Sequence, residues 1–310
     1  MPGLANRLGL LLSALAMLLS FLPGGPLPPA TSTAPLQAAK GAPAAPVRPV
    51  QPTPPQVSAK SVIVVEYPSG RILFENNSHA RLAPASTTKI MTAIMALDYG
   101  KLDEQVVVAQ RDMIYGSKMG LKTGETQTVR DLLYGLLLPS GNDAAMTLGR
   151  YMATRAGKGT TMAAFASMMN KKVAALGLKD SHFVNPHGLD AKGHYSSAYD
   201  LASMTWYAMH NELFNQIVKQ ENYDAPGHKL KNLNKMLTRY VGAEGVKTGY
   251  TGRAGLCLVA SATRDGKRVI SVVLNDPKLY DDSAALLDYG FARLAVTPTG
   301  TGEKLGIAAK

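Results

Sequence analysis

Cysteine is nearly absent from this 310-residue chain, which contains Cys257 alone. A single cysteine excludes any disulfide bond within the chain. It lies in the apolar run Gly255-Leu256-Cys257-Leu258-Val259, where we expect a buried small side chain rather than a reactive thiol. At this length the chain can form one large domain or two small ones, and nothing covalent supports its core.

The sequence also lacks two common patterns of catalytic residues. The histidines are His79, His182, His187, His194, His210 and His228. None of them forms His-Glu-x-x-His or another spacing typical of zinc ligands, so we expect no metal site. No Gly-x-Ser-x-Gly turn is present to support a serine–histidine–acid triad.

Positive charge is in excess, but it is not clustered. The formal net charge is +11, and the lysines and arginines are scattered without interleaved aromatic residues. Binding of nucleic acid is therefore not expected. An anionic polymer such as a bacterial wall is a more natural partner for a basic surface of this kind.

The N-terminus has the layout of a secretory signal peptide. Arg7 precedes an apolar run from Leu8 to Leu22, and small residues and prolines follow. This run is shorter than the roughly 20 residues that span a bilayer. We expect cleavage of residues 1–39, with the end anywhere between residues 24 and 44. Membrane contact would then depend on this segment staying uncleaved.

Residues 40–57 are predicted to be a proline-rich linker, because eleven of the nineteen prolines lie between Pro23 and Pro55. No later apolar run reaches spanning length. A signal peptide without a disulfide framework favours an exported bacterial protein, in the cell wall or at the outer face of the cytoplasmic membrane.

Residues 58–296 are predicted to form one α/β domain, with a flexible tail over 297–310. Strands are expected near both ends and helices between them. The predicted strands cover residues 62–65, 71–74, 255–263 and 269–274, and the predicted helices cover residues 86–97, 128–138, 142–156, 161–176, 197–219 and 282–294. The terminal strands should pair into an antiparallel sheet that faces the helical insertion.

The strongest chemical pattern is a serine three residues before a lysine at a predicted helix start. In Pro84-Ala85-Ser86-Thr87-Thr88-Lys89, Lys89 can reach the Ser86 hydroxyl, because residues three apart share a helix face. Acyl-transfer enzymes that use lysine as the base need such a pair. A serine at this position can equally be a simple N-cap.

Two further patterns follow along the chain. Ser140-Gly141-Asn142 lies in the break between two predicted helices, and Lys247-Thr248-Gly249 lies just before the last pair of predicted strands. Together they could supply a proton relay, an amide that orients the substrate and donors to a carboxylate. The glycine would let a substrate backbone lie against the edge strand.

This ordered set resembles the penicillin-recognising serine enzymes. From about Ser61 to Arg293 the chain is similar to the D-alanyl-D-alanine carboxypeptidases, the low-molecular-mass penicillin-binding proteins. The similarity is carried by Pro84-Ala85-Ser86-Thr87-Thr88-Lys89-Ile90-Met91-Thr92, Ser140-Gly141-Asn142-Asp143-Ala144-Ala145, Asn185-Pro186-His187-Gly188-Leu189 and Lys247-Thr248-Gly249-Tyr250-Thr251. The resemblance implies an α/β fold of the β-lactamase/transpeptidase type.

The resemblance also implies an activity: removal of the terminal D-alanine from peptidoglycan pentapeptides through a Ser86 acyl-enzyme, and acylation by β-lactam antibiotics. It implies catalytic roles for Ser86, Lys89, Ser140 and Asn142. Lys247, Thr248 and Gly249 would bind the substrate, while the backbone N–H groups of Ser86 and Tyr250 would form an oxyanion hole. No metal ion or organic cofactor is needed.

Lys89 must act as a neutral amine. A lysine with a pKa of about 10.4 is neutral about once in 2,500 molecules at pH 7, a deficit of about 4.6 kcal/mol. Burial and nearby positive charge must therefore lower its pKa, and Lys247 is the expected neighbour.

Some residues that resemble or adjoin the site motifs are not assigned to the reaction, and two other functions are alternatives to a carboxypeptidase. Lys122-Thr123-Gly124 repeats the lysine-threonine-glycine pattern but is predicted to be a surface turn. His187 is expected to be structural, and the role of Lys278, the sole cation just after the last strand, stays open. The alternatives are a β-lactamase, although its Glu-x-x-Leu-Asn pattern is absent, and a non-catalytic wall-binding or sensor protein.

Overall fold

A five-stranded antiparallel sheet forms the centre of the computed structural model, which describes residues 50–296 and 302–307. The strand order is β2-β1-β9-β8-β7. The five strands are β1 (Ser61–Tyr67), β2 (Ile72–Asn76), β7 (Ala243–Thr251), β8 (Gly255–Arg264) and β9 (Lys267–Leu274). Two small pairs complete the strands: β3 (Gln105–Val107) with β4 (Thr126–Thr128), and β5 (Asn222–Ala225) with β6 (His228–Lys231).

The two ends of the domain meet in the middle of this sheet. Strand β1 pairs with β9 in continuous register, from Ser61 opposite Leu274 to Tyr67 opposite Arg268. All the helices except the last lie in the chain between β2 and β9. This arrangement confirms the predicted sheet built from both ends of the domain and the helical insertion between them.

Eight α-helices surround the sheet in the described part of the chain. They are α1 (Lys89–Tyr99), α2 (Val129–Leu137), α3 (Asn142–Arg155), α4 (Met162–Ala175), α5 (Ala198–Ala208), α6 (Glu212–Val218), α7 (Met236–Arg239) and α8 (Leu279–Val296). No helix in residues 50–296 or 302–307 combines the length and apolar character needed to cross a membrane.

Both faces of the sheet are buried. Successive strand residues point to opposite faces, so Val62 and Val64 pack in the cluster that contains Leu286 of α8. Ile63 and Val65 belong to the larger cluster beneath the other helices. The central helix of that cluster is α1, whose residues are buried from Lys89 to Ala96. A lysine is thus the first residue of a helix whose first eight residues are all buried.

The region predicted as one helix over 197–219 is two helices, α5 and α6. Asn211 is the N-cap of α6, and its side chain accepts a hydrogen bond from the amide of Phe214. The carbonyl of Met209, in the break, accepts hydrogen bonds from the Tyr67 hydroxyl and the Asn215 amide. These local bonds end α5, although the apolar spacing continues.

The pattern Lys247-Thr248-Gly249 lies inside strand β7 rather than before a strand pair. Strand β7 pairs with β8, with Lys247 opposite Val259 and Gly249 opposite Cys257. It lies at one edge of the sheet, opposite the edge formed by β2. The sequence analysis missed this strand because its glycines interrupt any run of β-branched residues.

Part of the predicted flexible tail is held against the sheet. Glu303 accepts a hydrogen bond from the amide of Ile72, and the amide of Leu305 donates to the carbonyl of Gly70. Leu305 and Ile307 pack against the larger core cluster. Backbone hydrogen bonds and two apolar side chains therefore attach this short segment to the domain.

The predicted signal peptide and most of the predicted linker lie outside the described residues, so their boundaries stay predictions. Within the linker, residues 50–57 form no helix or strand. Val57 packs against the cluster beside α8, and the amide of Ser58 donates to Asp282 at 2.5 Å.

Leu305→Ala should lower the free energy of unfolding by about 1 kcal/mol, because it removes partly buried apolar surface. In a domain of this size that corresponds to a fall in Tm of about 2–4 °C. Thermal unfolding followed by circular dichroism measures it. Lys304→Ala, which alters an exposed side chain in the same segment, is the control, and equal Tm values for both variants would contradict the attachment.

Candidate active site

Ser86 and Lys89 meet at a change of helix type. Residues Ala85–Thr88 form a 3₁₀ turn, and α1 starts at Lys89. Neither helix start has a side-chain cap, so Ser86 does not serve as an N-cap. Instead, Lys89 Nζ lies 2.9 Å from Ser86 Oγ, as the three-residue spacing predicts.

Two further acceptors hold the Lys89 amine. Nζ donates to Asn142 Oδ1 at 2.7 Å and to the carbonyl of His187 at 2.6 Å. A neutral amine has two N–H bonds and one lone pair, and both of these partners can only accept. The lone pair of a neutral Lys89 is therefore left for the hydroxyl proton of Ser86.

The surroundings of Lys89 favour this neutral form. Its side chain is fully buried, at 0% exposure. Burial lowers the pKa of Lys89 well below its ordinary value, and the positive charge of Lys247 lowers it further, while Asp143 opposes the shift. The structure thus brings Lys247 close enough to influence Lys89, across 158 positions of sequence (247 − 89).

Lys247 itself lies beneath the cleft rather than on its surface. It is 2% exposed, and burial lowers its pKa to about 7. Its Nζ donates to the carbonyl of Thr248 at 3.0 Å. The next three residues, Thr248, Gly249 and Tyr250, line the cleft instead. Lys247 is placed to act on Lys89 through its charge.

Ser140 and Asn142 occupy the turn between α2 and α3. Ser140 is in the left-handed region, with φ of 61°, and is buried. Its Oγ has no hydrogen-bond partner among the described residues. Asn142 uses its oxygen for Lys89, and its nitrogen donates to the carbonyl of Tyr115 at 2.8 Å. Asn142 therefore orients the lysine, and its expected contact with the substrate amide stays a prediction.

Two glycines clear the space around the amide of Ser86. A Cβ on Gly249 would lie 3.0 Å from the Ser86 nitrogen, and one on Gly188 would lie 1.9 Å from the carbonyl oxygen of Ala85. Gly188 also has φ of +91°, which disfavours any other residue. Edge strand β7 can therefore approach the 3₁₀ turn closely. The Ser86 amide lies in the first turn, where an N–H has no intrahelical partner.

The cleft that contains Ser86 has a volume of about 560 Å³, within the range of small-molecule sites. It is lined by Ser86, Ser117, Ser140, Leu233, Lys235, Arg239, Thr248, Gly249, Tyr250, Leu256, Pro277, Lys278, Leu279, Tyr280 and Asp281. The predicted residues Ser86, Ser140, Thr248 and Gly249 and the unassigned Lys278 thus share one cavity.

Asp143 positions the loop beside the site, a role that was not predicted from the sequence. Its carboxylate accepts from the amides of Met119, Gly120, Leu121 and Ala144, at 2.8–3.1 Å. The loop that includes Tyr115 and Ser117 is thereby held across the start of α3. An acid in the first turn of a helix was the available signal.

His187 is structural, as the sequence predicts. His187 is buried, and its Nδ1 accepts from the amide of Leu189. Burial is the main cause that lowers the pKa of His187 to about 3. His187 is thus neutral, and its carbonyl, which holds Lys89, is the part that was missed.

Two other expectations concern residues outside the site. Lys122 and Thr123 are exposed in a turn, as predicted. Cys257 is buried, and burial raises its pKa to about 11, which excludes a reactive thiolate. No group of three or more potential metal ligands from His, Cys, Asp and Glu occurs within residues 50–296 and 302–307.

Characterised relatives share most of the domain. The D-alanyl-D-alanine carboxypeptidase DacF of Bacillus subtilis is 38% identical over 255 residues, which cover 77% of this chain and 64% of that protein. DacA of Escherichia coli K12, with the same description, is 37% identical over 255 residues and covers 76% of this chain and 62% of that protein. The chain therefore spans less than two thirds of the length of these relatives.

A solved structure confirms the predicted fold class. The crystal structure of the Streptomyces K15 DD-transpeptidase matches with a TM-score of 0.70 and 34% identity, covering 77% of this chain and 99% of that chain. The sequence pattern of the D-alanyl-D-alanine carboxypeptidase family matches residues 48–278. Since that range holds the whole lysine–serine arrangement as well as the sheet, the chain belongs to the D-alanyl-D-alanine carboxypeptidase family.

Proposed function

We propose that this protein is a serine-type D-alanyl-D-alanine carboxypeptidase that removes the terminal D-alanine from peptidoglycan stem peptides. The observation that supports this most is the Lys89 amine, buried beside Lys247 and 2.9 Å from Ser86 Oγ. Two acceptors direct its hydrogens away from the serine. Such a base has one partner left to deprotonate.

In the acylation step, Ser86 Oγ attacks the carbonyl carbon between the two D-alanines, and its proton passes to Lys89 Nζ. The backbone N–H groups of Ser86 and Tyr250 are proposed to stabilise the resulting oxyanion. The C–N bond then breaks, and Ser140 Oγ donates a proton to the leaving amine while it takes the proton held by Lys89. The unpartnered, buried Ser140 hydroxyl suits this relay.

Hydrolysis completes the reaction. Water attacks the Ser86 ester, Lys89 accepts a proton from the water, and the C–O bond to Ser86 breaks as the serine regains its proton. A β-lactam would acylate Ser86 in the same way, but its ring-opened leaving group stays attached to the acyl group. Penicillin is therefore proposed as a covalent inhibitor. No step requires a metal ion or an organic cofactor.

The terminal carboxylate of the substrate is proposed to bind at Thr248. The sequence analysis placed Lys247 with Thr248 in this role, but Lys247 is buried and its Nζ is bonded to the Thr248 carbonyl. Thr248 and Gly249 line the cleft. The positive charge of Lys247 attracts the substrate carboxylate and also lowers the pKa of Lys89.

The same chemistry sets the proposed location. Peptidoglycan lies outside the cytoplasm, which agrees with the predicted signal peptide and with the basic net charge of +11. The partners proposed are peptidoglycan pentapeptides and β-lactams. Membrane contact through the N-terminal segment would require that segment to remain uncleaved.

A β-lactamase needs a carboxylate that activates water against the acyl-enzyme. Asp281 is the single acid among the residues that line the cleft. Asp143 is near Lys89, but backbone amides occupy both of its oxygens. Slow release of bound penicillin is thus proposed. A non-catalytic wall-binding protein would have no need for a lysine kept neutral by burial.

Ser86→Ala should abolish both D-alanine release and covalent labelling by a fluorescent penicillin, with a loss of at least about 10³-fold in kcat/KM. Ser167→Ala, on the exposed face of α4, is the control and should retain both. Labelling that persists in Ser86→Ala would place the nucleophile elsewhere. Labelling of the wild type without D-alanine release would indicate a binding protein.

Lys247→Gln should move the acidic limb of the acylation rate to higher pH. Neutral Lys89 is the active form, so the rate rises with pH through its pKa. Removing the neighbouring charge raises that pKa. The rate constant of penicillin acylation, measured from about pH 5 to about pH 10, on the acid side of lysine's ordinary pKa of about 10.4, gives the shift.

The matched control for this experiment is Lys122→Gln, in the exposed lysine-threonine-glycine turn. It should leave the pH profile unchanged. A Lys247→Gln profile with equal loss at every pH would show that Lys247 acts on substrate binding alone.

Thr248→Val should raise KM for a peptide with a terminal carboxylate by about tenfold more than for its C-terminal amide, because a charge-assisted hydrogen bond is lost. Steady-state kinetics of peptide-bond cleavage for both peptides gives the ratio. Thr123→Val, in the exposed turn, is the control. The same change in KM for acid and amide would exclude Thr248 from carboxylate binding.

A further inference from the structure

The cleft at Ser86 extends well beyond the groups that the proposed reaction uses. Its volume of about 560 Å³ exceeds what a terminal D-alanine requires, and it reaches α7 and the start of α8. Three cations line this extension: Lys235 and Arg239, at the two ends of α7, and Lys278, just before α8. We call these three residues the basic arm.

The three cations of the basic arm form no ion pair within the described residues. No carboxylate lies within 4.0 Å of these three side-chain cations among the described residues, whose ion pairs involve other lysines, arginines and histidines. Asp281 lines the same cleft and offsets one of the three charges. The cleft therefore keeps an excess of positive charge on one wall.

Arg239 is held in position without losing its donors. Its guanidinium lies over the ring of Tyr280, 5.1 Å from the ring centroid. Stacking on an aromatic face fixes the plane of the guanidinium and leaves its N–H groups at the edge for a carboxylate. Leu233 and Leu256, which are 48% and 37% exposed, add apolar surface to the same cleft.

We propose that the basic arm is a second carboxylate subsite, which selects stem peptides with a side carboxylate in addition to the terminal carboxylate at Thr248. The proposal rests on the carboxypeptidase function proposed above. A peptide is favoured over a larger anionic polymer because the three cations open into the same cavity as Ser86. A bound side carboxylate would therefore belong to the molecule whose peptide bond is attacked.

The test compares matched pentapeptides that end in D-Ala-D-Ala. In one pair, the α-carboxyl of the γ-D-glutamyl residue is free or amidated. In the other pair, the side carboxyl of a diaminopimelyl residue is free or amidated. We expect the wild type to prefer the free acid of at least one pair by about tenfold in kcat/KM for D-alanine release. This preference should fall as salt is raised.

The double variant Lys235→Gln/Arg239→Gln should reduce that preference to about twofold or less. The control variant, Lys101→Gln/Lys158→Gln, removes two exposed lysines outside the cleft and should retain the preference. A wild-type ratio near one for both pairs, or a ratio that the cleft variant leaves unchanged, would overturn the proposal.

A second measurement separates this proposal from the proposed activity. Each peptide is used as a competitor that slows labelling of the wild type by a fluorescent penicillin. The free acid should slow labelling at a lower concentration than the matched amidated peptide does, even if no D-alanine is released. Protection by poly(glycerol phosphate) but by neither free acid would assign the basic arm to a phosphate polymer and reject the carboxylate subsite.

Discussion

The site depends on keeping one lysine amine dry, neutral and aimed at one hydroxyl. Lys89 is the first residue of α1, and the first eight residues of this helix are all buried. Burial removes the water that would stabilise its ammonium form, and Lys247 adds a like charge. Asn142 and the carbonyl of His187 take the two N–H groups. The lone pair then has a fixed direction, toward Ser86.

The antiparallel sheet makes this arrangement possible. Strand β1 pairs with β9, so the end of the domain returns to its beginning, and edge strand β7 is carried alongside the 3₁₀ turn that holds Ser86. Gly249 allows the close approach of these two backbones, and Gly188 allows the loop that carries the His187 carbonyl to approach the same turn. Lys247 is thus placed near Lys89 by the order of the strands and by the absence of a side chain at Gly249. A larger residue at either glycine would displace the turn that holds Ser86, because its Cβ would meet the backbone of Ala85 or Ser86.

Local pattern predicts local geometry well in this chain. The three-residue spacing of Ser86 and Lys89 predicts their contact, and the strands at both ends of the domain predict the sheet. The break between α5 and α6 could not be predicted, because it depends on Asn211 capping and on tertiary bonds to Met209. The attachment of residues 302–307 depends likewise on a distant partner, β2.

The same limit applies within the site. Chemistry alone requires that some neighbouring group or burial keep Lys89 neutral, and the order of the motifs predicts Lys247 as that neighbour. That Lys247 is buried below the cleft, and that Asn142 contacts Lys89, could not be predicted, because both depend on three-dimensional placement. A neutral Lys89 also opposes folding: the unfolded chain binds a proton there that the folded chain lacks, and this cost grows as pH falls from lysine's ordinary pKa to the lowered one. The apolar residues of α1 and the helices around it must offset that cost, so the tight core around Lys89 serves the reaction as well as the fold.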